Sequence, residues 1–257
     1  MTSALQLPSS LAHLEAAEWE AITIGRSSAS VWRLHHQGET FILKRETARP
    51  TSELPSEAER LRWLETMEMP APRQIAFAST ADSHFLLMTA VEGEDLTALA
   101  DDPERLCTIL AKALHQLHDL PTAACPFDHA AEKRIAVGRR NISAGLVDES
   151  DFDDERLGWS ASQVLDWLGA NPLNDENFVV THGDASIPNF MATSNGFAGM
   201  VDCGRVGVAD RWQDLAIACR SVADNCGQQH IETFLRAYGE HWNERRYRYF
   251  TTLDELF

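Results

Sequence analysis

The stretch VVTHGDASIPNF, residues 179–190, places an aspartate and an asparagine directly after an apolar run. Asp184 has the side chain of a general base, which accepts a proton from a substrate hydroxyl. Asn189 and a second acid, Asp202 in NGFAGMVDCGR, carry the hard oxygen ligands that Mg²⁺ prefers. Each residue alone also fits a structural role, with Asp184 capping a helix and Asn189 filling the turn after Pro188. Their order and spacing together favour metal-assisted phosphoryl transfer.

This chemistry also requires a lysine that binds phosphates and an acid that orients the lysine. The spacing H-x-D-x-x-x-x-N is that of the catalytic loop of phosphoryl-transferring kinases, and the D-C-G triplet beginning at Asp202 takes the place of their D-x-G. Lys44 ends the apolar stretch TFILK, and Glu57 lies in the next predicted helix, so we expect an ion pair between them. Glu59, on another face of that helix, is a rival partner, and a lone lysine at a strand end also fits a solvated edge.

The turn GRSSAS between the first two predicted strands has two interpretations. It either lays Ser27 and Ser28 over the phosphates or forms an ordinary hairpin, because it lacks the Gly-x-Gly pattern.

Two different element patterns position these residues. Residues 21–44, together with QIAFAST and HFLLMTAV, alternate β-branched, aromatic and turn residues and predict a small antiparallel sheet, interrupted by the helix LPSEAERLRWLETM. From about Glu92 the chain is mainly helical, beginning with DPERLCTILAKALHQLHDLP. His115 and His118 in this helix flank a leucine stripe and are expected to pack it, since a third metal ligand is missing. The sequence therefore predicts an α+β fold of two parts, residues 1–91 and 92–257.

Composition restricts the partners. The 257 residues carry a net charge of −17, which repels nucleic acid and attracts a cationic small molecule. Five cysteines without a C-x-x-C pair indicate free thiols. The N-terminal residues have no basic region, and apolar runs fall short of the ~18 residues of a membrane span. We expect a cytoplasmic protein with no membrane, nucleic-acid or obligate protein partner.

Several motifs resemble those of the aminoglycoside 3'-phosphotransferases, which are antibiotic-resistance kinases with a two-lobed, protein-kinase-like fold. They are THGDASIPNFM, GMVDCGRVGVADRWQDLAIACRSV, the ending LDELF, and ELPSEAERLRWL, LHDLP, CPFDH and AGLVDESDFDDE. The resemblance covers essentially the whole chain. It implies an N-lobe over 1–91, a catalytic C-lobe over 92–257 and ATP in the cleft.

The resemblance also implies a role for each matching residue. Asp184 is the implied base, and Asn189 and Asp202 are the implied Mg²⁺ ligands. The implied nucleotide-binding residues are Lys44, Glu57, Ser27, Met88, Thr89 and Val91. The implied aminoglycoside-binding residues are Arg205, Asp153, Asp154, Glu155, Asp254, Glu255 and Phe257, the last through its α-carboxylate.

The charge argument agrees with this substrate class, because aminoglycosides carry several positive charges. Residues 148–155, DESDFDDE, contain six acids, which either face such a substrate or form a solvated loop. Ile42 stands where some relatives place an aromatic ring on adenine, so GTP is a possible donor besides ATP. The alternatives are a kinase of another small hydroxyl compound, such as a macrolide or a metabolite, and a catalytically silent nucleotide-binding protein.

Overall fold

The computed structural model describes residues 7–23 and 29–257. These residues cluster into two compact units. The first contains the chain up to Glu92 together with Ala198–Gly204, and the second contains Gly93–Phe197 and Arg205–Phe257. We expected one boundary near residue 91, with all later residues in the second unit. Residues 198–204 instead belong to the first unit. Ser27 and Ser28 lie outside the described residues.

The first unit is built on a five-stranded antiparallel sheet with the order β1-β2-β3-β5-β4. The strands are β1 (Glu18–Ile22), β2 (Ser30–His36), β3 (Glu39–Thr47), β4 (Gln74–Ser79) and β5 (Ser83–Thr89). A short 3₁₀ helix, Ser9–Ala16, contributes Leu11 and Leu14 to an apolar cluster with Leu34, Leu43 and Phe85 of the sheet. One helix, α1 (Leu54–Thr66), follows β3 and buries Leu61 and Leu64.

The second unit is mainly helical, as the leucine periodicity indicated. Its helices are α2 (Pro103–His118), α3 (Ala131–Ser143), α4 (Ala161–Ala170), α5 (Trp212–Cys226), α6 (Ile231–Tyr238) and α7 (Glu244–Asp254). Helix α2 begins at Pro103, and the Asp102 side chain accepts a hydrogen bond from the Arg105 backbone. The apolar face of α2 is buried, including Leu106, Leu110 and Leu114.

Short strands in the second part of the chain carry the loops of interest. They are β6 (Glu94–Asp95), β7 (Phe178–Thr181), β8 (Phe190–Thr193), β9 (Gly196–Met200) and β10 (Gly207–Asp210). β7 pairs antiparallel with β10, with Thr181 opposite Gly207, and β6 pairs with β8. The catalytic-type motif therefore starts at the end of β7, and Asp202 follows β9, as the sequence predicted.

Among residues 7–23 and 29–257, the helices are all too short or too polar to cross a membrane. The five cysteines are free thiols, and Cys107, Cys203 and Cys219 are buried.

Candidate active site

Lys44 lies at the centre of a buried ion cluster in the first unit. Its ammonium donates to Glu57 Oε1 at 2.7 Å and Oε2 at 2.9 Å, and it also contacts Asp202 Oδ1. Lys44 and Glu57 are 7% and 4% exposed, whereas the Asp202 side chain is 51% exposed. Burial alone would lower the Lys44 pKa, but the charges of Glu57 and Asp202 outweigh it and raise that pKa. The lysine is therefore a fixed positive charge. Its partner on α1 is Glu57, while the rival Glu59 is exposed.

Glu46 holds the helix that carries Glu57. Helix α1 has no side-chain cap from its own N-terminal residue. Instead the buried Glu46 carboxylate, on β3, accepts hydrogen bonds from the backbone N–H groups of Glu53 and Leu54 at 2.9–3.1 Å. A carboxylate at a helix N-terminus satisfies otherwise unpaired donors and interacts favourably with the helix dipole. The strand of Lys44 is thus tied to the helix of Glu57 by a contact that the sequence analysis missed.

Asp202 has a strained backbone. Its φ of +54° lies in the left-handed region, which aspartate tolerates better than most residues. Such conformations cost ~1–3 kcal/mol and persist where surrounding structure imposes them. The Asp202 side chain contacts Lys44, and the Cys203 that follows is buried.

The expected adenine-binding segment comprises the last two residues of β5 and the residues just after it. Met88 is buried and lies opposite Ile42 of β3, while Thr89 is partly exposed and bonds to the Arg73 backbone through N and Oγ1. Val91 is partly exposed and lies just beyond the strand. The pairing of Met88 with Ile42 gives this face an aliphatic character.

Asp184 and Asn189 are joined directly in the second unit. Asn189 Nδ2 donates to the Asp184 backbone oxygen at 3.0 Å, to Asp184 Oδ2 at 3.1 Å and to Ser186 Oγ at 3.1 Å. Asn189 is 7% exposed, and Asp184 is half-buried. These contacts all use the Asn189 side-chain nitrogen. Among the described residues no hydrogen bond to its side-chain oxygen is seen, so that oxygen is open to another partner.

Helix α5 holds the Asp184 loop through Asp214, which sequence reasoning missed. The fully buried Asp214 carboxylate accepts from the backbone N–H groups of His182 at 2.7 Å and Gly183 at 2.8 Å. It also bonds His118 Nε2 at 3.0 Å, and His118 Nδ1 bonds the Tyr238 hydroxyl at 2.7 Å. His118 therefore packs its helix as expected but reaches the loop as well. The only sequence signal was an acid inside an apolar helix, which needs partners when buried.

Gly183 is required by a close approach between segments. Its φ is +85°, and a Cβ there would lie 2.5 Å from the Arg205 backbone oxygen. The residue before Asp184 thus lets the loop pack onto the segment that carries Arg205.

Asp254 is surrounded by arginines. Its side chain is 15% exposed and contacts Arg134 at 3.5 Å, Arg205 at 3.9 Å and Arg220. Burial alone would raise the Asp254 pKa, but these three cations outweigh it and lower that pKa. The arrangement differs from the expected one, in which Asp254 presents its charge to substrate ammonium groups, because protein cations already compensate that charge.

Glu255 is the neighbouring acid whose charge is not compensated in this way. Its Oε1 accepts from the Asp153 backbone at 3.4 Å. Burial first, and then the charge of Asp153, raise the Glu255 pKa to about 7. Asp153 itself is fixed by Arg156, which also bonds Thr251 and Thr252 of α7 at 2.7 and 2.8 Å.

The remaining residues expected to contact the substrate are Asp154, Glu155 and Phe257. Asp154 and Glu155 are exposed. The Phe257 ring contacts two guanidinium groups, with Arg134 Cζ 4.3 Å and Arg205 Cζ 5.3 Å from its centroid. The acidic residues 153–155 and the chain end therefore meet around α7.

The donor set fits Mg²⁺ bound together with phosphates. The residues described contain no cluster of three or more His, Cys, Asp or Glu side chains that would hold a metal alone. Mg²⁺ usually takes one or two protein oxygens plus waters and phosphate oxygens. Asn189 in the second unit and Asp202 in the first carry an amide and a carboxylate, which are ligand types that Mg²⁺ takes.

Comparison with known proteins identifies the class. The model of the phosphotransferase enzyme family matches residues 18–250, and the chain belongs to that family. The α+β, two-lobed kinase-like fold predicted from the sequence is confirmed, and the protein is a phosphotransferase.

Relatives narrow the class to the aminoglycoside 3'-phosphotransferases. An Escherichia coli aminoglycoside 3'-phosphotransferase is 34% identical, covering 96% of this chain and 93% of the relative. The crystal structure of an aminoglycoside-3'-phosphotransferase of type VIII matches with a TM-score of 0.86 and 31% identity, covering 94% of each chain. A Streptomyces rimosus aminoglycoside phosphotransferase, solved with ADP and streptomycin, matches with a TM-score of 0.78 and 26% identity, covering 93% of this chain and 92% of that chain.

Proposed function

We propose that the protein transfers the γ-phosphate of Mg-ATP to the 3'-hydroxyl of kanamycin- or neomycin-type aminoglycosides and thereby confers resistance to them. The observation that carries the proposal is the Asp184–Asn189 pair on a loop held by Asp214. The relatives' names supply the substrate class, and the ADP complex of the Streptomyces relative supports a nucleotide donor.

Each predicted residue has a chemical task in this proposal. Asp184 accepts the proton of the attacking hydroxyl and directs the hydroxyl oxygen toward phosphorus. Lys44, oriented by Glu57, stabilises phosphate charge, and Met88, Thr89 and Val91 receive the base. Ser27 is proposed to cover the phosphates.

The metal would be held by Asn189 and Asp202. Mg²⁺ would neutralise charge on the phosphates, and positioning and electrostatics would carry most of the rate. The protein residues would keep their own tasks of binding, orienting and accepting the proton.

Substrate binding is assigned to the acidic residues around α7 and to the chain end. Glu255, the α-carboxylate of Phe257, Asp153, Asp154 and Glu155 would bind ammonium groups. Arg205 and Asp254 would shape the site, with Asp254 compensated by its three arginines.

The decisive experiment is a panel assay with purified protein, Mg-ATP or Mg-GTP, and one acceptor at a time. We expect ADP release and a singly phosphorylated product with kanamycin and neomycin. Tobramycin, which lacks the 3'-hydroxyl, should give none, and product mapping should place the phosphate at the 3' oxygen.

The other acceptors test the alternatives. Turnover of streptomycin or tobramycin would contradict 3' regiochemistry, and turnover of a macrolide alone would replace the substrate class. Nucleotide binding without turnover of any acceptor would favour a silent nucleotide-binding protein.

A further inference from the structure

One face of α3 contacts the last residues of the chain. Arg134, Gly138 and Asn141 follow one another at the spacing of one helix face, and we call them the α3 contact face. Arg134 lies against the Phe257 ring, and Asn141 Nδ2 donates to the Leu256 backbone oxygen at 2.9 Å. The contacts of Gly138 and Asn141 involve neither the Asp184 loop nor the acidic residues 153–155, whereas Arg134 also feels the charge of Asp184.

Arg134 is buried to a degree that requires compensation. It is 1% exposed, and its Nε and Nη1 have no hydrogen-bond partner among residues 7–23 and 29–257. Its polar contact with the chain end is Nη2 to Asp254 Oδ1 at 3.5 Å, and its guanidinium stacks on Phe257 at 4.3 Å. Burial lowers the Arg134 pKa to about 10, so the group stays charged at neutral pH. A buried cation in this setting depends on the ring and the carboxylate for its stabilisation.

Gly138 allows the chain end to approach. A Cβ at Gly138 would lie 2.6 Å from Leu256 Cδ1 and 2.9 Å from Leu256 Cβ. Real Cβ atoms essentially never come so close, and the second atom is not the flexible end of its side chain. Leu256 is fully buried, so it has little room to move away.

We infer that the α3 contact face is a positioning site for the acceptor. It fixes Asp254–Phe257, and so the Glu255 side chain and the terminal carboxylate, where they bind the aminoglycoside. The identity of the acceptor in this inference rests on the proposed function. The packing of the last residues against α3 is independent of it.

The first test is independent of activity. Gly138→Ala should speed the release of Phe257 by a carboxypeptidase, measured by mass spectrometry of the folded protein, because the added methyl displaces Leu256. Alanine favours a helix more than glycine does, so faster release would not arise from a weakened α3. Gly169→Ala is the matched control, because Gly169 lies in α4 with open space around its Cβ position. It should leave release unchanged.

The second test measures kinetics. Gly138→Ala should raise the KM for kanamycin roughly tenfold, the size expected for one lost charge-assisted contact, with the KM for ATP changed less than about twofold. Leu256→Gly in the Gly138→Ala background removes both close atoms, Leu256 Cδ1 and Cβ, and should restore part of the kanamycin KM. Arg134→Lys keeps the charge but loses the planar stack on Phe257, and should also raise the kanamycin KM selectively.

The outcomes separate the two proposals. Unchanged release and unchanged KM in Gly138→Ala would overturn the inference. Faster release with an unchanged kanamycin KM would show that α3 holds the chain end for stability only, which also overturns it. If the wild-type protein phosphorylates no aminoglycoside, the proposed function fails and the acceptor part of the inference falls with it, while the release assay still decides the docking.

Discussion

The chemistry of the acceptor reaction depends on a few side-chain atoms of Asp184 and Asn189. Asn189 Nδ2 engages one Asp184 carboxylate oxygen at 3.1 Å, so Oδ1 is the atom left to accept a substrate proton. The same amide also bonds the Asp184 backbone, which limits rotation of the carboxylate. The asparagine thus acts both as a candidate metal ligand and as the residue that orients the base.

Asp184→Asn removes the proton acceptor and keeps the shape of the side chain. We expect kcat to fall by ~10² or more with a nearly unchanged KM for ATP, because base catalysis has that magnitude. Steady-state kinetics and a thermal melt check this. Asp166→Asn, at an exposed position of α4, is the control and should keep wild-type kcat. Near wild-type turnover in Asp184→Asn would remove the base assignment.

Glu255 predicts a pH dependence of substrate binding. Its pKa rises from an ordinary value of 4.5 to about 7, so Glu255 is partly protonated near neutral pH. A cationic substrate favours the ionised form, and the kanamycin KM should therefore fall as pH rises through about 7. The substrate's own amines lose protons over a similar range, but they do so equally with every variant. Glu255→Gln should remove the part of the pH dependence of the kanamycin KM that comes from Glu255. Equal profiles of KM against pH for the wild type and the variant would contradict a role of Glu255 in substrate binding.

Ionisation of Glu255 should affect the stability of the fold in the opposite direction: as pH rises, substrate binding improves and the free energy of unfolding decreases. Because the folded-state pKa is raised, the contribution of Glu255 to the free energy of unfolding is complete below about pH 4.5 and is lost as pH rises through about 7. Denaturant melts of Glu255→Gln should lack this part of the pH dependence. A variant with the wild-type slope would mean that Glu255 titrates normally.

The residues predicted from sequence are those whose meaning lies in local spacing. Asp184 and Asn189 share one loop, and Lys44 ends a recognisable apolar stretch, so their types and order were informative, although β3 continues beyond Lys44 to Thr47. The surroundings of Asp254 were not predictable in this way, since its three arginines come from α3, from the segment before β10 and from α5. Long-range pairings of this kind are set by tertiary packing, and a single sequence contains no signal for them. The terminal acids therefore looked equally available, although Asp254 contacts three arginines and the Glu255 pKa is raised by burial and by Asp153.

At the scale of elements, α5 is the platform of the Asp184 loop. Asp214 accepts the His182 and Gly183 backbone N–H groups, and Ser221, two turns further along the helix, accepts from Ile187 N at 2.9 Å. One helix thus fixes both ends of a loop whose own hydrogen bonds are local, such as that from Asn189 N to the Ser186 backbone oxygen at 3.0 Å. Its apolar pattern predicted the helix but not this function.

Asp214→Asn tests the platform. It replaces a carboxylate that accepts three hydrogen bonds with an amide that presents donors to backbone N–H groups, so we expect ~1–3 kcal/mol of lost stability and a lower kcat. Asp210→Asn is the matched control, because Asp210 is also fully buried but bonds Arg246 and the Trp212 backbone. It should lose stability with a smaller loss of kcat. If both variants lose kcat in proportion to stability, α5 does not position the base specifically.

At the scale of the whole molecule, the excess of acids creates a negative field. The net charge is −17, and residues 148–155 alone contain six acids. Arg156 ties this stretch to α7 through Thr251 and Thr252, so its charges occupy a defined place on the second unit. A polycationic substrate is attracted by such a field, and an anionic nucleotide is not.

Ionic strength separates a general field from local contacts. Between about 0.02 and 0.5 M salt the Debye length falls from roughly 20 Å to about 4 Å, so we expect kcat/KM for kanamycin to fall while that for ATP holds or rises. Asp151→Asn and Glu65→Gln each remove one exposed charge, the first in the acidic stretch and the second on α1. At low salt Asp151→Asn should reduce kcat/KM for kanamycin more than Glu65→Gln does, and at high salt the two should converge, because screening removes the contribution of an exposed acid. Equal losses at low salt would mean that the total charge, and not the placement of the acidic stretch beside α7, attracts the substrate.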